Sequence, residues 1–252
     1  MPFILSLFLI LFSLETRALV VVSDFDDTIK ITNAGNLAAA TYNGFFKTKV
    51  YTGMPELLSE MRAYTEELHI VSAAPSLVAP RIRNLLRKQK IAYESLSYRL
   101  LRSWEDKIQF KLEAIEEVLK RGEEIILLGD DVEKDPEIFQ EIQQRYPGKV
   151  LAAYIHQVRS RKLPPGVIPY YTSFDLALHE FLAGRMAEAG VQQVLASFGA
   201  APSLKRTFPG FTHCPSQTEK FEWQQATTFN KDASELSDRI IAFCSKRSVR
   251  VK

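Results

Sequence analysis

The sequence is poor in several features that mark particular protein classes. It has two cysteines, and its four histidines show no spacing typical of metal ligands. Its net charge is only +2, so the overall balance does not favour a nucleic-acid partner. No internal repeat or low-complexity tract is visible. What is left is an ordinary globular composition, 46% hydrophobic and 25% charged, which is enough to build a sizeable core.

The N-terminus carries one short apolar block, residues 2–14 (PFILSLFLILFSL). The block has the length of a signal-peptide hydrophobic region and is short for a membrane span. Thr16 and Ala18 supply small residues around a cleavage position after Ala18. We therefore predict a signal peptide over residues 1–18 and an exported protein, periplasmic or secreted. An uncleaved membrane anchor or an extra packed helix is the alternative, since no Lys or Arg precedes the block.

The two cysteines, Cys214 and Cys244, lie in the C-terminal quarter of the chain. In an exported protein they would close a disulfide loop of about thirty residues. In a reduced compartment they would be buried free thiols. The pairing and the localisation therefore depend on each other.

Short apolar runs alternate with amphipathic segments through residues 19–182. The runs predict strands at residues 19–22, 68–73, 125–128 and 150–156, and a fifth beginning at Tyr170. Helical spacing predicts helices over residues 54–64, 77–87, 104–120, 137–145 and 174–182. This alternation predicts an α/β fold with a doubly wound parallel sheet. Residues 33–49 are interpreted as a short insertion.

Residues 184–252 have a looser pattern, with helices predicted over residues 192–198 and 233–244. We interpret them as a C-terminal helical extension packed on a catalytic domain of residues 19–183.

Three predicted strands end in polar residues. Asp24, Asp26 and Asp27 follow the first strand, Ser72 follows the second, and Asp130 follows the third. The carboxyl ends of parallel strands meet at one sheet edge, where ligands bind. Carboxylates that close together repel unless a cation joins them, and hard oxygen ligands suit Mg²⁺. The alternative is an acidic, turn-forming loop.

The order of these residues resembles the haloacid dehalogenase superfamily of phosphatases. DxDxT stands after the first strand, a serine after the second, a lysine on a later helix, and GDxxxxD after the third strand. Receiver domains use similar residue types in a different order. The segments SDFDDTIKIT, VSAAPS, FKLEAIEEVL and LLGDDVEKDPEIF are similar to the catalytic domain of actin-patch-type phosphatidate phosphatases and their bacterial relatives, over about residues 20–158. The resemblance implies a Rossmann-like sheet of haloacid dehalogenase type, and the short spacing between motifs implies little or no cap.

The resemblance also implies roles in catalysis. Asp24 would be the nucleophile that forms an aspartyl-phosphate, and Asp26 the general acid and then base. Ser72 and Lys111 would bind the phosphoryl group, and Thr28 is a further substrate-binding candidate within a loop that it helps to shape. Lys111 is preferred to Lys107 because FKLEAIEEVL matches the family's wording; otherwise either would be a solvated helix lysine.

The implied Mg²⁺ ligands are Asp24, Asp130 and the backbone carbonyl of Asp26. Asp135 would be a ligand through water or a support for the lysine, with a helix N-cap as the plain alternative. Asp131 departs from the family, in which serine usually follows Gly-Asp. Whether Asp131 contacts metal or faces solvent stays open.

These expectations define three functional hypotheses. The first is a Mg²⁺-dependent phosphomonoesterase with phosphatidate as its substrate. The second is an exported general phosphatase of small organic phosphates, and the third is a non-hydrolytic phosphate or phospholipid binder. Cations at the entrance would suit an anionic lipid surface, or else be solvated charge: Lys47, Lys49, Arg81, Arg83 and Arg87. The oligomeric state is not predicted.

Overall fold

The computed structural model describes residues 18–36, 38, 42, 48–100, 106–121, 123–215 and 227–249. Apart from Ala18, the predicted signal peptide lies outside these residues, as does most of the insertion at residues 33–49. The elements in chain order are β1 (Leu19–Asp24), α1 (Met54–Met61), β2 (Glu67–Pro75), α2 (Ala79–Lys88), β3 (Ser95–Arg99), α3 (Lys107–Leu119), β4 (Glu124–Asp130), α4 (Asp135–Arg145), β5 (Val150–His156), β6 (Ile168–Tyr170), α5 (Ser173–Leu182), α6 (Glu188–Ala200) and α7 (Asn230–Val249).

The six strands form one parallel sheet in the order β3-β2-β1-β4-β5-β6. The predicted doubly wound parallel α/β fold is therefore confirmed. The prediction of five strands was wrong, because it omitted the edge strand β3. The sequence of β3, SLSYR, has no apolar run, and all five of its residues are only half-buried.

Helices cover both faces of the sheet, as the alternation of side chains along β1 shows. Val20 and Val22 pack with α3 and α4 in one hydrophobic cluster. Val21 points to the other face and joins a larger cluster with α1, α2 and α5. Strands buried on both faces are apolar at nearly every position, which explains the unbroken apolar run at the start of β1.

The start of α4 corrects one expectation. The helix begins at Asp135 instead of Glu137, and its N-cap is Lys134, which makes no side-chain cap. Asp135 is therefore not the N-cap, and its carboxylate is available for contacts described below. Pro136 is tolerated because the first helical turn has no intrahelical N–H bond to lose.

The C-terminal helical extension is present in the described residues. Helix α6 packs on α1 and α5, and residues of α6 and α7 share the larger hydrophobic cluster with the sheet. Both predicted helices are longer than expected. Cys214 is joined to Cys244 of α7 by a disulfide, with Cα atoms 5.5 Å apart. None of the helices in the described ranges is long and apolar enough to cross a membrane.

Candidate active site

The site forms where the chain reverses direction across the sheet, between β1 and β4. Strands β2 and β3 lie on one side of this pair, and β5 and β6 on the other. Such a switch point opens a crevice at the carboxyl ends of the strands. Asp24 ends β1 and Asp130 ends β4, so the sheet brings together two acids that are more than a hundred residues apart.

Asp135 completes a buried acidic triad with Asp24 and Asp130. One carboxylate oxygen from each residue lies within 4.8 Å of the others, and the three residues are 0–7% exposed. Gly129 makes the close approach possible, because a Cβ there would lie 2.6 Å from Asp135 Oδ2. That oxygen accepts a hydrogen bond from the Asp130 backbone N–H at 3.3 Å.

Lys111 stands among these carboxylates. Its Nζ donates to Asp24 Oδ1 at 2.7 Å and to Asp135 Oδ1 at 2.5 Å. Burial alone would lower the pKa of Lys111, but the carboxylates of Asp135 and Asp24 outweigh it and raise the pKa well above its ordinary value. Lys107, the rejected alternative, lies at the surface and pairs with Glu133.

With all three ionised, the carboxylates around this one ammonium would carry an excess of two negative charges. Burial, and then the neighbouring carboxylates, raise the pKa of Asp24 and of Asp130 well above the ordinary value. Asp24 Oδ2 is also buried without a hydrogen bond from any described residue. An excess of two charges, an orphaned carboxylate oxygen and an all-oxygen donor set fit a divalent cation such as Mg²⁺.

Asp26 lies beside the triad and is held at both oxygens. Ser72 Oγ, at the carboxyl end of β2, donates to Asp26 Oδ2 at 3.2 Å. Thr32 Oγ1 donates to Asp26 Oδ1 at 2.7 Å. Sequence reasoning gave no role to Thr32, which is the last residue of the segment SDFDDTIKIT but lies four residues beyond the DxDxT motif.

Asp27 fixes the loop that carries Asp26. Its carboxylate accepts hydrogen bonds from the backbone N–H groups of Thr32, Asn33 and Ala34 at 2.6–2.8 Å. Burial raises the pKa of Asp27 to about 6, although these three hydrogen bonds oppose the shift. His156 Nδ1 donates to the Asp27 carbonyl at 2.8 Å, so the end of β5 supports the same loop.

Two other residues singled out from the sequence are not members of the triad. Asp131 is buried and accepts hydrogen bonds from the backbone N–H groups of Arg159 (2.7 Å) and Arg161 (3.1 Å), so it braces the loop after β5. Thr28 is fully buried and lines a small cavity with Tyr51 and Tyr170. Its hydroxyl makes no hydrogen bond with any described residue.

Comparison with known proteins matches residues 19–157 to the family described as phosphatidate phosphatase APP1, catalytic domain. An uncharacterized protein of Schizosaccharomyces pombe is 24% identical over 161 residues, which are 58% of this chain but only 26% of that protein. The chain thus spans about a quarter of this relative's length.

Among solved structures, a chain in the Pnkp1/Rnl/Hen1 complex is 16% identical, with a TM-score of 0.40 over 54% of this chain and 45% of its own length. A second chain, from the Pnkp1/Rnl/Hen1 RNA repair complex, is 14% identical, with a TM-score of 0.32 over 62% of this chain and 44% of its own. Both TM-scores are low, and neither likeness bears on activity. The family match covers more than half of the chain, and it joins the strands that carry Asp24, Ser72 and Asp130. The chain belongs to the family of the phosphatidate phosphatase APP1 catalytic domain, whose model matches residues 19–157.

Proposed function

We propose that this protein is a Mg²⁺-dependent phosphomonoesterase that works through an aspartyl-phosphate on Asp24 and acts on phosphatidate. The observation that carries the proposal is the buried triad with the Lys111 ammonium group among its carboxylates. Asp26 lies beside it, and each of its carboxylate oxygens accepts a hydrogen bond. A site that only bound phosphate would gain nothing from a buried carboxylate aimed at an anion.

The chain's own residues account for each transfer. Asp24 Oδ2, which accepts no hydrogen bond from the described residues, attacks phosphorus as the ester P–O bond breaks. Asp26 gives its proton to the leaving alkoxide. Asp26 then takes a proton from water as that water attacks the acyl phosphate, which releases inorganic phosphate and restores the Asp24 carboxylate and the protonated Asp26.

The remaining groups position the cation and the phosphoryl group and neutralise their charge. Asp24, Asp130 and the Asp26 carbonyl would hold the cation, with Asp135 behind them supporting Lys111. When bound, Mg²⁺ supplies positive charge that removes the repulsion between the nucleophile and the phosphoryl oxygens. Lys111 adds a fixed positive charge next to Asp24, and Ser72, whose hydroxyl donates to Asp26, would donate to a phosphoryl oxygen of the bound substrate.

The substrate and the location of the protein are finer parts of the proposal. Family membership supports phosphatidate, a phosphomonoester at a membrane surface. The Cys214–Cys244 disulfide supports export, because such bonds persist in oxidising compartments.

Phosphate release from phosphatidate in mixed micelles and from p-nitrophenyl phosphate, with and without Mg²⁺, tests the proposal. Asp24→Asn keeps the shape of the side chain and removes the nucleophile, so turnover should fall by at least about a thousandfold. Asp232→Asn, on the exposed side of α7, is the matched control and should retain full activity.

The outcomes separate the hypotheses. Release from the small ester alone would retain Asp24 and Asp26 as catalysts and discard the lipid. Release from neither ester by the wild-type protein would contradict the enzyme and leave the non-hydrolytic binder.

A further inference from the structure

Two of the most exposed leucines in the described chain follow neighbouring strands at the carboxyl edge of the sheet. Leu77 is 58% exposed, in the short 3₁₀ turn Ser76–Val78 that follows β2. Leu100 is 69% exposed and directly follows β3. Pro75 of β2 is paired with Arg99 of β3, so the two leucines leave the sheet from neighbouring positions. Single exposed leucines need no explanation, but adjacent ones beside a crevice do.

This pair is next to the candidate active site. Arg99 Nε donates to the carbonyl of Ala73 at 2.9 Å, one residue beyond Ser72. On the other side of Leu77, Arg81 is close enough to Lys30 to help lower the pKa of that ammonium group, although burial is the larger cause. Lys30 in turn lies near Asp26, which raises its pKa. Leu77, Arg81, Arg99 and Leu100 therefore border the crevice, and we name these four residues the docking rim.

The segment that contains Leu77 and Arg81 carries charge of one sign. No Asp or Glu occurs between Glu67 and Glu94, whereas this segment contains Arg81, Arg83, Arg87, Lys88 and Lys90. Within the described ranges, no carboxylate lies within ion-pair distance of Arg83, Arg87 or Lys88. The whole chain carries a net charge of only +2, so this is a local concentration of positive charge.

We propose that the docking rim binds the surface of an anionic lipid bilayer. Leu77 and Leu100 enter the boundary between headgroups and acyl chains, while Arg81 and Arg99 contact lipid phosphates. Exposed apolar side chains flanked by cations are complementary to such a surface and to few soluble ligands. The inference deepens the proposed function and rests on it: a phosphomonoester headgroup reaches Asp24 while its acyl chains stay in the bilayer.

The first test locates binding without using catalysis. Hydrogen–deuterium exchange of the full chain is measured with and without phosphatidylglycerol vesicles, whose lipid is a phosphodiester and not a substrate. We expect slower exchange at residues 76–81 and 99–100, reversed by high salt, and no change around Leu151 or Leu182, which are exposed leucines elsewhere. Unchanged exchange at the docking rim would overturn the proposal, even if the N-terminal apolar block held the protein on the vesicle.

The second test uses turnover. Leu77→Ser/Leu100→Ser should lower phosphatidate hydrolysis in vesicles by about tenfold or more, since membrane affinity scales with the apolar area inserted. Its turnover of p-nitrophenyl phosphate should match that of the wild type. Leu151→Ser/Leu182→Ser is the control away from the crevice; these leucines are 41% and 47% exposed, less than the rim pair, and their replacement should change neither rate.

The result that sinks the inference is equal vesicle turnover in the two double variants. Slower hydrogen–deuterium exchange at the docking rim with an added protein, but not with vesicles, would also overturn it. Failure of the proposed function gives a different pattern: no turnover of any ester, with rim protection by vesicles intact.

Discussion

The buried ammonium group of Lys111 faces three carboxylates, those of Asp24, Asp130 and Asp135. This imbalance of charge links folding to metal binding. Burial and mutual repulsion raise the pKa of Asp24 and of Asp130, so the folded protein holds protons there that the unfolded chain releases. Without metal, the site's contribution to stability is therefore greatest in acid. It declines as the pH rises from the ordinary carboxyl pKa of about 4 towards the raised values.

Replacing one of these acids should stabilise the metal-free protein. We expect Asp130→Asn to raise the unfolding midpoint in EDTA at pH 7.5 by a few degrees, the shift that about 1 kcal/mol produces in a chain of this size. The same variant should lose the stabilisation that Mg²⁺ gives the wild type at that pH. Calorimetric scans at pH 5 and 7.5 measure both effects, and a midpoint that Mg²⁺ raises equally in variant and wild type would exclude Asp130 as a ligand.

Thr32 orients Asp26, and comparing the turnover of esters with different leaving groups tests this role. Alkoxide loss needs a proton from Asp26, whereas p-nitrophenolate leaves without one. Thr32→Val removes the 2.7 Å hydrogen bond and should lower kcat for an alkyl phosphate by about tenfold or more, with much less effect on p-nitrophenyl phosphate.

Thr32→Ser is the matched control, because it keeps the hydroxyl and should restore most of the alkyl phosphate rate. An equal loss on both esters would mean that Thr32 only supports the loop.

The sequence predicted which motif residues the fold brings together, but it did not predict a residue whose place depends on tertiary contacts. Asp24, Ser72, Lys111 and Asp130 were recognisable because each has a fixed place in a known order. Thr32 was not, because its role depends on a loop that Asp27 bends back through three backbone hydrogen bonds.

At the scale of elements, the apolar runs predicted buried strands well and the edge strand poorly. The runs in β1 and β4 face cores on both sides, so nearly every residue is apolar. β3 has a neighbour on one side only and alternates small polar with larger residues. The tertiary fold determines the pairing of β3 with β2. The local sequence SLSYR does not predict this pairing.

Gly129 couples β4 to α4, and enlarging it should separate them. A Cβ at Gly129 would meet Asp135 Oδ2 at 2.6 Å, Asp135 Cβ at 2.8 Å and Phe139 Cζ at 2.8 Å. Gly129→Ala therefore has to displace the first turn of α4, at a cost of about 1–3 kcal/mol in the free energy of unfolding. Chemical denaturation measures this loss, and turnover should fall with it because Asp135 supports Lys111.

Gly199→Ala provides the comparison. Gly199 lies near the end of α6, where an added Cβ has no atom within 4 Å. That change should be neutral or stabilising by up to about 1 kcal/mol. Two equally neutral variants would show that α4 can shift freely, and that Asp135 does not depend on Gly129.

At the scale of the whole molecule, the C-terminal extension and the sheet form one folding unit. The extension packs into the core on one face of the sheet. Val191, Phe198 and Ile240 lie in the same cluster as Val21 of β1. The extension also reaches towards the site: Arg206 donates to the Val50 carbonyl, and the Thr207 and Thr52 hydroxyls are 3.0 Å apart. We therefore expect the sheet and the extension to unfold in one transition.

The Cys214–Cys244 disulfide should stabilise this whole unit. It joins residues 30 positions apart, and closing a loop of that length in the unfolded chain is worth about 3–4 kcal/mol. The bond ties α7 to the segment whose His213 N–H donates to the Val158 carbonyl, directly after β5. Cys214→Ser should thus lower the free energy of unfolding by that amount in a single transition, measured by denaturant titration.

Dithiothreitol should lower the stability of the wild type to the same level and leave the variant unchanged. Thiol titration of the unreduced, denatured wild type should detect no free thiol. Two free thiols in protein recovered from its native compartment would contradict both the cross-link and the proposed export.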